Sequence, residues 1–267
     1  MKEKRILLLG AYSMEVVECG GALLKNALNG GKSHAAIAFA GEKMQSDLKK
    51  SAEILQTSVE FLNMDTGKIT ASYEEKLQMI RVIRSFRPDI IITQDTEHCV
   101  YDLDPGRRPF MTLVLEAMAL AGREYALEEL DGLKPWGNFT IYFMTPEHPN
   151  CVLDIFDVWE QKCQAMDLLE AQLEFFGKRE QIDGKQLEER KALVPQWDSL
   201  TTDLERGRAL KREMDKSYYT YLHSTGHCRV TYAESYRREG FFVFDELMKE
   251  REKGNITLPF FQNRLII

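Results

Sequence analysis

An apolar strand pattern at residues 6–9 passes through a turn at 10–21 and opens into a helical pattern at Ala22-Leu23-Leu24. This strand–turn–helix order constrains the fold most. It is the unit from which parallel α/β sheets are built, and its turn faces the crevice where such sheets bind ligands. The unit repeats. Strands are predicted at 5–10, 35–40, 59–64 and 89–94, with helices between them at about 18–29, 45–57 and 73–86. The last strand, Asp89-Ile90-Ile91-Ile92-Thr93-Gln94, is a β-branched run of the kind buried on both faces. Pro88 closes the helix before it. This βαβαβα rhythm predicts a parallel sheet with right-handed crossovers.

Beyond residue 94 the pattern loosens. Residues 95–109 read as a polar loop with an Asp104-Pro105-Gly106 turn, followed by a helix at about 110–122. Two further strands are predicted at 139–144 and 152–155, and Asp157 is placed as the cap of a long amphipathic helix starting at Val158-Trp159-Glu160. Residues 177–216 are dense in Glu, Lys and Arg, and read as a charged helical excursion or lid with a solvated face. A last helix is expected around 242–251.

A chain of 267 residues is long enough for one large core. Its net charge of −7 argues against nucleic acid as a partner, because phosphate binding needs a basic surface. Five cysteines, Cys19, Cys99, Cys151, Cys163 and Cys228, lack any CxxC spacing. With no leader pattern and no apolar run near the ~20 residues that cross a bilayer, they point to a cytoplasmic protein with no membrane contact.

Several stretches, in order, resemble the PIG-L/LmbE-like N-acetylglucosamine deacetylases: Leu8-Leu9-Gly10-Ala11 with Cys19-Gly20-Gly21; Arg87-Pro88-Asp89-Ile90-Ile91-Ile92-Thr93; Val152-Leu153-Asp154-Ile155 with Trp159-Glu160-Gln161-Lys162 and Ala171-Gln172; and Tyr232-Ala233-Glu234. The resemblance implies one Rossmann-like α/β domain over 1–267, a mostly parallel sheet with helices on both faces, and zinc-dependent amide hydrolysis. The family's zinc and general-base motif is Ala-His-Pro-Asp-Asp. Here the stretch reads Ala11-Tyr12-Ser13-Met14-Glu15, so Tyr12 stands for a ligand His and Met14 stands near the base. Glu15 either replaces the ligand Asp or matches a Glu that follows the pair. The second motif, Asp-x-His-Pro-Asp-His, maps onto Asp102-Leu103-Asp104-Pro105-Gly106-Arg107, with Arg107 at the last zinc position. Cys151 maps near another pocket His.

A hydrolytic zinc site needs about three donors and an open position. A phenol with an ordinary pKa of about 10 is a poor donor, and a guanidinium has no lone pair to give. No zinc cofactor is therefore expected, and the reading is a degenerate member of the group that has lost zinc-dependent deacetylation and binds a sugar-like small molecule or a partner protein. Self-association into a homo-oligomer is left open.

The crevice candidates are Tyr12, Ser13, Glu15, Asp102, Asp104, Arg107, Arg108 and Cys151. Glu15, Asp95, Glu97, His98, Asp102 and Asp104 form an acidic set that either rebuilds a catalytic site, with Glu15, Asp102 and Asp104 at its centre, or is solvated loop. Arg107 and Arg108 either clamp an anion or form salt bridges to Glu15 or Asp104. His34, His148, His223 and His227 are further metal candidates, although Gly226 argues against a helical pair at 223 and 227. Trp159, Phe175 and Phe176 are expected in the core.

Overall fold

The computed structural model describes residues 3–179, 184–224 and 231–239. Its centre is a seven-stranded sheet in the order β3-β2-β1-β4-β5-β7-β6. Strands β1 (Arg5–Tyr12), β2 (Lys32–Phe39), β3 (Thr57–Phe61), β4 (Ile90–Gln94) and β5 (Thr140–Met144) run parallel. The edge is mixed: β7 (Ala233–Glu239) is antiparallel to both β5 and β6 (Cys151–Asp154).

Alternation along β1 assigns the two faces. Leu7 and Leu9 enter one core with the helices α4 (Tyr73–Phe86) and α6 (Arg107–Ala121). Leu8 enters the other with α1 (Met14–Glu18), α2 (Gly20–Leu28), α3 (Glu42–Ile54), α7 (Trp159–Asp167) and α8 (Glu170–Arg179). All three leucines are fully buried, each worth about 1.5–3 kcal/mol against an exposed state. The expected mostly parallel sheet with helices on both faces is what the chain forms.

The differences lie in the connections. The predicted turn at 10–21 is far shorter: β1 runs to Tyr12 and α1 begins at Met14. The predicted helix at 18–29 is two helices that break at Cys19. Residues 95–109 are not one loop, because Asp95 accepts the Glu97 N–H at 2.7 Å and starts α5 (Thr96–Tyr101). Arg107 opens α6 instead of ending a loop. Asp157 caps no helix: it lies in a 3-10 turn and pairs with Lys25 at 2.7 Å. The long helix expected after it ends at Asp167 and restarts at Glu170.

Within the charged stretch, α9 (Gly184–Leu193) and α10 (Asp203–Ser224) follow. Helices α8 and α10 cross at Gly177 and Gly207, where a Cβ would overlap the carbonyls of Asp203 and Leu173 respectively. Val194, Trp197 and Leu210 bury a small core of their own there. Phe176 packs against that core, but Phe175, expected inside, is 62% exposed. Trp159 is half-buried and stacks on Tyr232 at 4.2 Å. The expected helix at 242–251 and His227 lie outside the described residues, as does the side chain of His223 in α10.

Candidate functional site

The carboxyl ends of β1 and β4 lie where a parallel sheet of this kind opens its crevice. Glu15 is the second residue of α1, and its side chain turns back under the end of β1. It is 2% exposed. Its Oε2 accepts the Ala11 N–H at 2.8 Å, and its Oε1 accepts from Arg107 Nη1 at 2.9 Å. Gly10 makes this return possible, since a Cβ there would press on Ile37 and on the Glu15 carboxylate.

Arg107 is the centre of the cluster. Its Nη1 also donates to Gln94 Oε1 at 2.6 Å, and its Nε pairs with Asp102 Oδ2 at 2.9 Å. The guanidinium carbon lies 5.1 Å from the Tyr12 ring centre, so the ring face adds to its stabilisation. Tyr12 donates its hydroxyl to both Asp104 oxygens at 2.8 Å. Asp104 in turn accepts the Gly106 N–H at 2.8 Å and so heads the Asp-Pro-Gly turn.

These contacts set the ionisation of the site. Burial pushes Glu15 up to about 7, while Arg107 pulls it down. The charges of Glu15 and Asp102 hold Arg107 above its ordinary value despite burial, so titration of the pair falls on Glu15. Burial and the Asp104 carboxylate push Tyr12 up to about 12. Cys99, which the sequence did not single out, is buried beside Arg107 and pushed up to about 12 by burial.

Tyr12, Glu15, Asp102, Asp104 and Arg107 are therefore brought together. Ser13 is buried next to them and its Oγ accepts from Gln172 Nε2. Arg108 turns outward and donates to the Asp102 carbonyl. Cys151 is not part of the cluster. It sits on edge strand β6 opposite Tyr236, and β4, β5 and β7 separate that strand from β1. Asp95 is fully buried and faces away toward Arg237, whose Nε reaches Oδ2 at 2.7 Å. His98 pairs with Glu147 at 3.0 Å, and His148 with Glu97 at 2.9 Å. His34 bonds Ser58 and Glu60, with 2.7 and 2.8 Å to its two ring nitrogens. Among the described residues no three His, Cys, Asp or Glu side chains group as metal binding would require.

A second buried pair supports the crevice from behind. Lys162 Nζ meets Glu234 Oε1 at 2.7 Å with both side chains almost fully buried. The lysine also donates to the carbonyls of Val17 and Glu18 at the end of α1. Glu234 accepts the Gly21 and Ala22 N–H groups at the start of α2, at 2.7 and 2.9 Å, and the Tyr236 hydroxyl at 2.7 Å. One ion pair thus joins two helix ends whose dipoles favour those charges. It ties the end of α1, the helix that carries Glu15, to the start of α2. Both residues lie within the stretches that carry the resemblance, yet nothing local in the sequence pairs them.

No family model matches the chain. It is 30% identical over 127 residues to the diacetylchitobiose deacetylase of Thermococcus kodakarensis, a match that covers 46% of this chain and 47% of that protein. The chain thus aligns with about half the length of the curated relative. Among solved structures, the N,N'-diacetylchitobiose deacetylase of Pyrococcus horikoshii superposes with a TM-score of 0.62 at 19% identity, covering 92% of this chain and 89% of that one. GalB, the 4-carboxy-2-hydroxymuconate hydratase of Pseudomonas putida KT2440, superposes with a TM-score of 0.58 at 20% identity, covering 89% and 96%. At these identities the likeness is one of fold, and a hydratase and a deacetylase share it. The chain has the fold of the PIG-L/LmbE-like deacetylases.

Proposed function

We propose that this protein is a non-hydrolytic relative of the deacetylases that binds a sugar-like small molecule in its crevice. The observation that carries the reading is the place of Arg107. Its guanidinium is held by Glu15 at 2.9 Å, Asp102 at 2.9 Å and Gln94 at 2.6 Å. The donor set does not fit a divalent cation. Arg107 carries a fixed positive charge and no lone pair, and at about 4 Å it would repel each unit of a cation's charge by several kcal/mol at an effective dielectric of ~20. Tyr12, pushed up to about 12, keeps its proton at neutral pH. Both Glu15 oxygens are already engaged. A water in such a crevice keeps an ordinary pKa, and amide hydrolysis lacks its nucleophile.

Tyr12, Asp102 and Asp104 are half-buried and Arg108 is exposed, so donors and acceptors both border solvent at this end of the sheet, which suits a polyol. The deacetylase relatives act on an N-acetylated sugar by name, and the ligand class is carried over from them on that basis alone. The test is paired. Titration with N,N'-diacetylchitobiose should give saturable heat, and a coupled acetate assay should give no turnover. Acetate release that stops with chelator would contradict the reading.

One observation favours a second reading, a rebuilt metal-free hydrolase. Glu15 is pushed up to about 7, the range of a general base at neutral pH. Against it, the carboxylate is closed off by Arg107 and the Ala11 N–H. Turnover by the wild type that chelator leaves intact and Glu15→Gln removes would favour this second reading.

A further inference from the structure

Thr145 follows β5 at the crevice end of the sheet and is held at φ 48°. For a β-branched residue this left-handed conformation is strained, and such strain persists only where the surroundings impose it. Its Oγ1 is buried and has no hydrogen-bond partner among the described residues. Burial without a partner is the costly state of a hydroxyl, so an orphan in a native fold calls for an explanation.

Thr145 lines a cavity of about 10 Å³ together with Glu18, Cys19, Tyr218, Tyr219 and Ser235. That is the room of about one water-sized group. The side-chain hydrogen bonds that reach Glu18 among the described residues fall on its backbone carbonyl, from Lys162 Nζ at 2.6 Å and the Tyr219 hydroxyl at 3.3 Å. None of them engages its carboxylate. The cavity therefore joins the unpartnered Thr145 hydroxyl to a residue whose carboxylate takes no side-chain hydrogen bond among the described residues.

Glu18 lies one helical turn after Glu15, and its charge acts on both Glu15 and Arg107. We propose that this cavity is a subsite for one hydroxyl of a sugar ligand. The ligand O–H donates to the Glu18 carboxylate, and its oxygen accepts from Thr145. An apolar arm would leave both groups unpaired, and an anion would face Glu18 and the buried Glu234. In the free protein one water takes the same place. The assignment rests on the sugar-binding reading above.

The test is titration of N,N'-diacetylchitobiose into the wild type and four variants, with thermal midpoints alongside. Thr145→Val and Glu18→Leu should each weaken binding about tenfold, the scale of one lost hydrogen bond. Thr145→Ser should keep wild-type affinity. Thr145→Gly is the sharpest variant. Glycine accepts φ 48° without strain, so the midpoint should rise while affinity falls. A hydroxyl that serves only the fold would not give that opposition. Wild-type affinity in Thr145→Val and Thr145→Gly would overturn the subsite and leave the proposed function standing. No binding by the wild type would overturn both.

Discussion

Replacing Arg107 with methionine removes the cation from the centre of the crevice while keeping most of its volume. Glu15 is 2% exposed and would lose the charge that opposes its burial. Breaking a buried ion pair on one side costs about 3–5 kcal/mol, because the remaining charge stays uncompensated. The pH dependence makes the prediction specific. Glu15 is raised in the folded wild type from 4.5 to about 7. A raised carboxyl contributes stability that is fully present below its unfolded pKa and is lost as pH rises through the folded one. In the wild type that loss falls between about pH 4.5 and 7 and amounts to about 3 kcal/mol. In Arg107→Met the folded pKa climbs further, so the loss continues above pH 7. The gap between the two proteins should therefore widen above neutrality, by up to about 1.4 kcal/mol per pH unit. Urea unfolding at pH 6, 7, 8 and 9 measures it. The gap between Glu15→Gln and the double variant Glu15→Gln/Arg107→Met should not vary with pH, because neither protein carries the titrating carboxyl. A single variant that loses less than about 1 kcal/mol at pH 9, or a gap that is flat with pH, would refute the view that this pair is buried and coupled.

Three other changes follow from the same geometry. Tyr12→Phe removes the only side-chain donor that Asp104 takes from β1, and chemical denaturation should show a loss of about 1 kcal/mol; spectrophotometric titration should count one fewer tyrosine ionising near 12 in the variant than in the wild type. Lys162→Met leaves the buried Glu234 without its cation and should cost about 3–5 kcal/mol, much of which Glu234→Gln in the same chain returns; equal instability of the single and double variants would contradict this. Gly207→Ala places a methyl on the Leu173 carbonyl and should lower the urea midpoint by the equivalent of about 1–3 kcal/mol; an unchanged midpoint would contradict the close crossing of α8 and α10.

The sheet was legible because burial on two faces writes itself into strand composition. The β-branched run at 90–94 and the apolar run at 6–9 have no other stable place in a chain of this size. The parallel order followed from the helices between them. Helix α5 was not legible, since six residues rich in polar side chains carry no period; Asp95 as its cap was the one available signal. Asp157 read as a cap because its type and place suit one, but the chain takes a 3-10 turn first and the carboxylate goes to Lys25.

The site divides in the same way. Tyr12, Glu15 and Arg107 met because two strand ends of a parallel sheet share one crevice, a rule of topology that sequence alone can invoke. Cys151 was misplaced because strand order at the mixed edge is not written locally: β7, from the end of the described chain, inserts between β5 and β6. The Lys162–Glu234 pair was missed for a related reason. The two residues are 72 apart, and each reads alone as an ordinary charged residue on a helix or strand.

In the proposed function, the Arg107 guanidinium fills the place where a metal-dependent deacetylase would need its ion. The direct measurement is the metal content of the full chain, purified without chelator and then equilibrated with zinc, read by elemental analysis with Arg107→His as a comparison. The account predicts far less than one zinc per wild-type chain, and the same denaturation midpoint with and without the metal. One zinc per wild-type chain, lost when Glu15 is changed to Gln, would contradict it.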